Sequence, residues 1–176
     1  MRASPLLTVG RAPAGWTVAY AESLPVTGYR YEVCDGALSL SPPPPSWADR
    51  LAERLVKVFE AGLWPALAGA GIAFGPRTGV VADVLAFLSP PVAGRLFHRP
   101  ASVAAVVRIG AVDPDPHLLR YARAGIAEFW RVDPDPVDRA AATVTVHRLA
   151  ARPEGPVYLV ERVRGLADLE RDGVGA

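Results

Sequence analysis

Asp83 stands inside the run GVVADVLAFL (79–88), whose other nine side chains are apolar or absent. A carboxylate in such a run is costly unless it is paired, hydrogen-bonded or bound to a metal ion. If it lies at the end of the strand it simply faces water; otherwise it is a metal-ligating or pairing group. Arg108 repeats the situation with the opposite sign in VAAVVRI (103–109). It needs an anion, or it carries its guanidinium to the surface on an aliphatic stem. His117 sits in the first turn of a capped helix, where most histidines face solvent and where a proton-handling role is also open. His98 and His147 are far from it in sequence and complete no ligand spacing, so a zinc site is not expected.

Several other chemistries find no support. Cys34 is the one cysteine, which excludes an internal disulfide and a cysteine-rich metal site; it reads as a small buried hydrophobe. Gly69-Ala-Gly71-Ile-Ala-Phe-Gly75 precedes a strand instead of opening a helix after one, so it lacks the context of a dinucleotide fingerprint. No phosphate-binding GxxxxGK[ST] loop is present, and no serine lies in a nucleophile elbow. Lys57 is the sole lysine, so any chemistry that needs a lysine elsewhere must find a substitute.

The elements that must position these groups follow from period and punctuation. Residues 1–15 read as a flexible leader, and a short helix runs from Thr17 to about Leu24 before Pro25. Tyr29 to Leu40 is a hairpin turning at Asp35-Gly36 and stopped by Pro42–Pro45. Ser46 opens the strongest helix, which runs to about Leu63; Ser46 and Asp49 form a capping signature, and Trp47, Leu51, Leu55, Val58, Phe59 and Leu63 line one apolar face. Two strands joined at Pro76–Gly79 occupy residues 71–88. The second is nearly continuous in apolar side chains, as suits a central strand covered on both faces. Val103–Ile109 is a further strand. A helix from about Pro116 to Ala124 follows, with Asp115 as its cap and Gly125 as its stop. Strands at Ala127–Val132, Thr143–Leu149 and Val157–Val163 complete the domain, placed at residues 16–165, and 166–176 is a polar tail. The pattern gives one domain on the α/β and α+β borderline, a mixed sheet flanked by helices.

The chain has 176 residues, enough for one core without staples. A net charge of +1 gives no bulk signal for a polyanion partner. The first residues carry no apolar signal segment, and no run reaches the ~18 apolar residues of a membrane span, so a cytoplasmic protein is expected.

Three segments carry a family resemblance. YEVCDGALSLSPPP (31–44) is a hairpin leading into prolines, VADVLAF (81–87) is an aspartate-bearing strand, and YARAGIAEFWRVDP (121–134) is the most distinctive stretch. In this order they resemble the Uma-two family of bacterial putative restriction endonucleases, over roughly Tyr29 to Leu149. The resemblance implies a single PD-(D/E)XK restriction-endonuclease-like domain. It further implies a strand aspartate and a second-strand glutamate holding magnesium, with a helix lysine polarising the attacking water.

Asp83 matches the first of those positions. The glutamate position falls on Arg108, or on Val106 if the register slips by two; the lysine falls on His117; a histidine that often follows the prolines falls on Trp47. The resemblance therefore implies a degenerate relative with little or no hydrolytic activity and no cofactor, left with a nucleic-acid-binding or scaffolding role. Two opposite charges in neighbouring apolar strands suggest a direct Asp83–Arg108 ion pair in place of the metal. The alternative is an active magnesium-dependent endonuclease in which Glu32, Asp113 and Asp115 join Asp83 and His117 handles the proton. Asp113 and Asp115 also have a plainer account as turn and cap residues. Arg95, Arg99, Arg120 and Arg123 are candidates for a nucleic-acid contact, or a solvated basic surface. A homodimer through a sheet edge or an apolar face is a third possibility.

Overall fold

The computed structural model describes residues 7–9, 15–25, 28–110 and 115–174. The first strand, β1 (Leu7–Val9), lies within the stretch expected as a flexible leader. It pairs antiparallel with β3, Thr8 opposite Ser39, because the outer side of β3 offers an unpaired row of backbone groups. Helix α1 (Val18–Ser23) starts where Thr17 Oγ1 accepts the Tyr20 N–H at 3.2 Å, and it stops short of Pro25. The hairpin β2 (Arg30–Cys34) and β3 (Ala37–Ser41) turns on Asp35 and Gly36 with φ of 50° and 81°. Two positive φ values are what a two-residue hairpin loop needs to match strand twist.

Helix α2 (Ser46–Ala61) buries Leu51, Leu55, Val58 and Phe59 as their spacing dictates, but Trp47 is only partly buried and Leu63, beyond the helix end at a φ of 65°, is 88% exposed. The expected Ser46 cap does not form: Pro45, extended, is the capping residue and Ser46 is already helical. Asp49 contributes only its charge in the first turn. Two short strands escape the sequence pattern, β4 (Ala66–Ala68) and, further on, β8 (Phe97–His98). Between them lie β5 (Gly71–Gly75), β6 (Thr78–Val81) and β7 (Val84–Phe87). The stretch expected as one strand over 79–88 is thus two strands, broken at Ala82–Asp83. Strand β9 (Val103–Ile109) leads through α3 (Leu118–Arg123) to β10 (Glu128–Pro134), β11 (Ala142–Arg152) and β12 (Gly155–Gly165).

The strands form two six-stranded sheets, ordered β1-β3-β2-β6-β5-β8 and β12-β11-β10-β9-β7-β4. Both are mixed: β9 runs parallel to β10, the usual consequence of a helical crossover, and β5 runs parallel to β8. Strands β7 and β9 explain their own composition. Val84, Ala86, Ala105 and Val107 face a core with Leu55, Phe59 and Trp130. Leu85, Phe87, Val103 and Val106 face a second core with Tyr121, Ile126 and Phe129. Both sides being covered, no polar alternation survives.

The polar tail also needs correction. Helix α4 (Leu166–Asp172) buries Leu166 and Leu169 in the α2 core, and Glu170 takes Arg54 Nε and Nη2 at 2.6 and 2.8 Å. Among the described residues no helix is long and apolar enough to cross a membrane.

Candidate functional site

The break at Ala82–Asp83 carries the chain from one sheet to the other. The Ala82 N–H donates to Ala70 O at 2.9 Å beside β5, and the next amide, Asp83 N–H, donates to Val107 O of β9 at 3.1 Å. Strands β2 and β6 pair at Val33 and Gly79, then side chains complete the ladder. Glu32 Oε1 accepts the Val81 N–H at 2.9 Å, and Arg108 Nη1 donates to Val81 O at 2.7 Å. Both satisfy backbone groups that would otherwise be buried and unpaired.

Asp83 is 8% exposed and has both oxygens engaged. Its Oδ2 accepts the Ile109 N–H at 2.7 Å, and its Oδ1 accepts Arg30 Nη1 at 2.6 Å. The expected Asp83–Arg108 pair is therefore replaced by two others. Arg108 Nε lies 3.0 Å from Asp115 Oδ2, an ion pair whose N–H does not point at the oxygen. The reason is competition: Ile109 and Arg30 saturate Asp83, while Val81 and Asp115 hold the Arg108 guanidinium. Arg30 had no distinguishing signal in the sequence, being one arginine between two tyrosines.

Arg108 still feels Asp83. Burial opposes its charge, but Asp83, Tyr121, Asp115 and Glu32 together hold its pKa above the ordinary arginine value. His117 precedes α3, and its backbone N–H donates to Asp115 Oδ1 at 2.8 Å. Burial lowers its pKa, with Arg108 and Arg120 adding to that and Glu32 and Asp115 opposing it. The structure thus gathers Asp83, Glu32, Arg108, Asp115 and His117 in one electrostatic cluster; Asp113 lies outside the described residues. Tyr121 borders the cluster, fully buried, its hydroxyl without a hydrogen-bond partner among the described residues and its pKa pushed up by burial. Asp115, 7% exposed, is not the helix cap expected of it: α3 begins at Leu118 with His117 in the capping position, and no side chain caps it.

Beside Arg30 and Asp83 opens a cavity of about 580 Å³ between α1, β2 and α2. Its charged wall is Glu22, Asp49, Glu53 and Asp83 against Arg30. Of the arginines singled out by sequence, Arg95 is 4.0 Å from Glu22 and Arg120 is 3.8 Å from Asp35, and neither lines this cavity. Arg99 and Arg123 are exposed and do not line it. His98 packs edge-on against Phe87, and His147 Nδ1 lies 3.2 Å from Phe129 O; neither joins the cluster. Cys34 is only partly buried, and burial, first among several causes, raises its thiol pKa, so it is no activated nucleophile.

Magnesium requires several oxygen ligands in near-octahedral array. Asp83 offers no uncommitted oxygen and adjoins two guanidinium groups. Among the described residues no three of His, Cys, Asp and Glu are placed to hold a metal. The donor set of the described residues does not fit the ion.

Two mixed sheets with helices packed against their cores make a mixed α/β fold. One solved structure of similar fold is a "putative nuclease belonging to DUF820" from Anabaena variabilis, with a TM-score of 0.59 and 17% identity. The similarity covers 89% of this chain and 98% of that one. No family model and no curated protein matches the sequence.

Proposed function

We propose that this chain is a degenerate relative of the Uma-two nucleases on a PD-(D/E)XK scaffold, with little or no hydrolytic activity, serving as a binding or scaffolding module. One observation carries the reading: Asp83 spends its oxygens on Arg30 and the Ile109 N–H, and the neighbouring position that would supply a second acid is Arg108. Cations occupy the place where a doubly charged ion would need carboxylates. Nucleic acid is the ligand the resemblance favours. The carboxylate wall of the cavity opposes a phosphate chain entering it, so such binding would run over Arg95, Arg99, Arg120 and Arg123 outside.

The second reading is an active magnesium-dependent endonuclease. It draws support from Glu32 and Asp115, which share the field around Arg108 with Asp83. Metal titration separates the two. A functional site gains stability by mass action, so magnesium or manganese at ~100 times Kd would add about 2.7 kcal/mol. We expect no such shift and no plasmid nicking above an Asp83→Ala control. A metal-dependent rise in melting temperature, abolished together with nicking by Asp83→Ala, would establish the active enzyme instead.

A further inference from the structure

Strand β12 is the outermost of its sheet and eleven residues long, with no strand on its outer side among the described residues. It exposes Val160 and Val163 by 61% and 58%, and Val157 and Leu159 are exposed as well. Long edges are normally blunted by charge, proline or a bulge, because their free backbone groups recruit another strand. Here the charges are Glu161, Arg162 and Arg164, and the pairing with β11 slips between Val146 and His147.

Those devices block one arrangement and fit another. A parallel, in-register copy would set Glu161 against Glu161 and Arg162 against Arg162, which like-charge repulsion disfavours. An antiparallel copy with its two-fold axis between 161 and 162 sets Glu161 opposite the partner's Arg162 and Val160 opposite the partner's Val163. The register slip is what makes the second pairing possible. In a regular strand, residues three apart point to opposite faces. Here Val160 lies opposite His147 and Val163 opposite Thr145, two residues apart on β11, so both valines share one face. Arg148 Nε already holds Glu161 Oε1 at 2.7 Å, which positions that carboxylate at the edge. We propose that β12 pairs antiparallel with β12 of a second copy of this chain about that axis, joining the β12-edged sheet of each copy into one.

Sedimentation equilibrium of the full chain over a concentration series tests this. The wild type is expected to show a monomer–dimer equilibrium. Val160→Lys, at an exposed side chain that leaves the fold intact, should weaken association at least ~tenfold, as should Arg162→Glu. The double variant Glu161→Arg/Arg162→Glu should recover most of that loss, because the reversed charges are again complementary about a two-fold axis. Circular dichroism confirms that each variant is folded. Since Arg162 Nη2 also donates to Val174 O, Val160→Lys decides the matter if Arg162→Glu does not fold. A wild type that stays monomeric to ~0.5 mM, or association untouched by Val160→Lys, overturns the proposal. A folded double variant that associates no better than Arg162→Glu does the same.

Discussion

Replacing Arg30 with methionine removes the cation from Asp83 while keeping most of the aliphatic stem. The pair is close, 2.6 Å, and its side chains are 22% and 11% exposed. Breaking a fully buried pair costs about 3–5 kcal/mol, and an exposed one about 0.2–1. Partial exposure of Arg30 and the remaining field of Arg108 place this case between, at about 1.5–3 kcal/mol. At ~2–4 °C per kcal/mol for a chain of this size, the melting temperature should fall by roughly 3–12 °C. Asp83→Asn keeps an amide oxygen for the Ile109 N–H and frees Arg30 to reach water, so it should cost less, about 1–2 kcal/mol. If the two groups act as a pair, the double variant costs about 1–2 kcal/mol less than the two single losses together. Urea unfolding followed by tryptophan fluorescence, with an unchanged m-value as the check on the denatured state, measures all three. A coupling within ~0.3 kcal/mol of zero would mean that Asp83 is not committed to Arg30. The non-hydrolytic reading would then lose its foundation.

Burial holds both His98 and His117 below the ordinary histidine value. The unfolded chain therefore binds protons more readily just below pH ~6.5, and stability should fall with pH there by up to ~1.4 kcal/mol per unit for each histidine. Denaturation at pH 7.5 and 5.5 checks this, with His98→Gln and His117→Gln each flattening the slope; equal stability at both values refutes it. The hydrogen bond from Arg54, ahead of all else, holds the Glu170 carboxyl below its usual range, so that stabilisation is present above ~4.3 and lost as pH falls through the folded value. Arg54→Met should accordingly cost about 0.5–1 kcal/mol at neutral pH and less in acid, and a cost that does not shrink on acidification would point to packing. At Gly79 a Cβ would sit 2.7 Å from the Phe97 ring and 2.9 Å from Val18 Cγ2. Gly79→Ala should lose about 1–3 kcal/mol, partly recovered by Phe97→Leu; a neutral substitution would show that this core yields.

What could be read from the sequence was local. Asp35-Gly36 defines its hairpin because two positive φ values are written in two adjacent residues. Helix α2 and strand β9 were legible because period and composition settle which faces are covered. The partner of Asp83 was not legible, since Arg30 is 53 residues away and only the packing of β2 against β6 brings it in. Arg108 looked the better candidate because its neighbours shared the apolar character of those around Asp83. An apolar run likewise does not reveal a change of sheet, so 79–88 read as one strand although Ala82 and Asp83 bind different neighbours. Helix α4 was hidden because two leucines in seven residues are too few to establish a period. The chemistry of the cluster was thus half visible: Asp83, Arg108, Asp115 and His117 could be named, but not who holds whom.

The crossing at Ala82–Asp83 supplies a pair of reporters that few folds offer. Two successive amide protons are anchored to different layers, one to the segment beside β5 and the other to β9. Their deuterium uptake would follow the loosening of each layer separately, from positions one residue apart in the chain. If the layers open as one cooperative unit the two rates will coincide, and if one gives way first its proton will be the first to go.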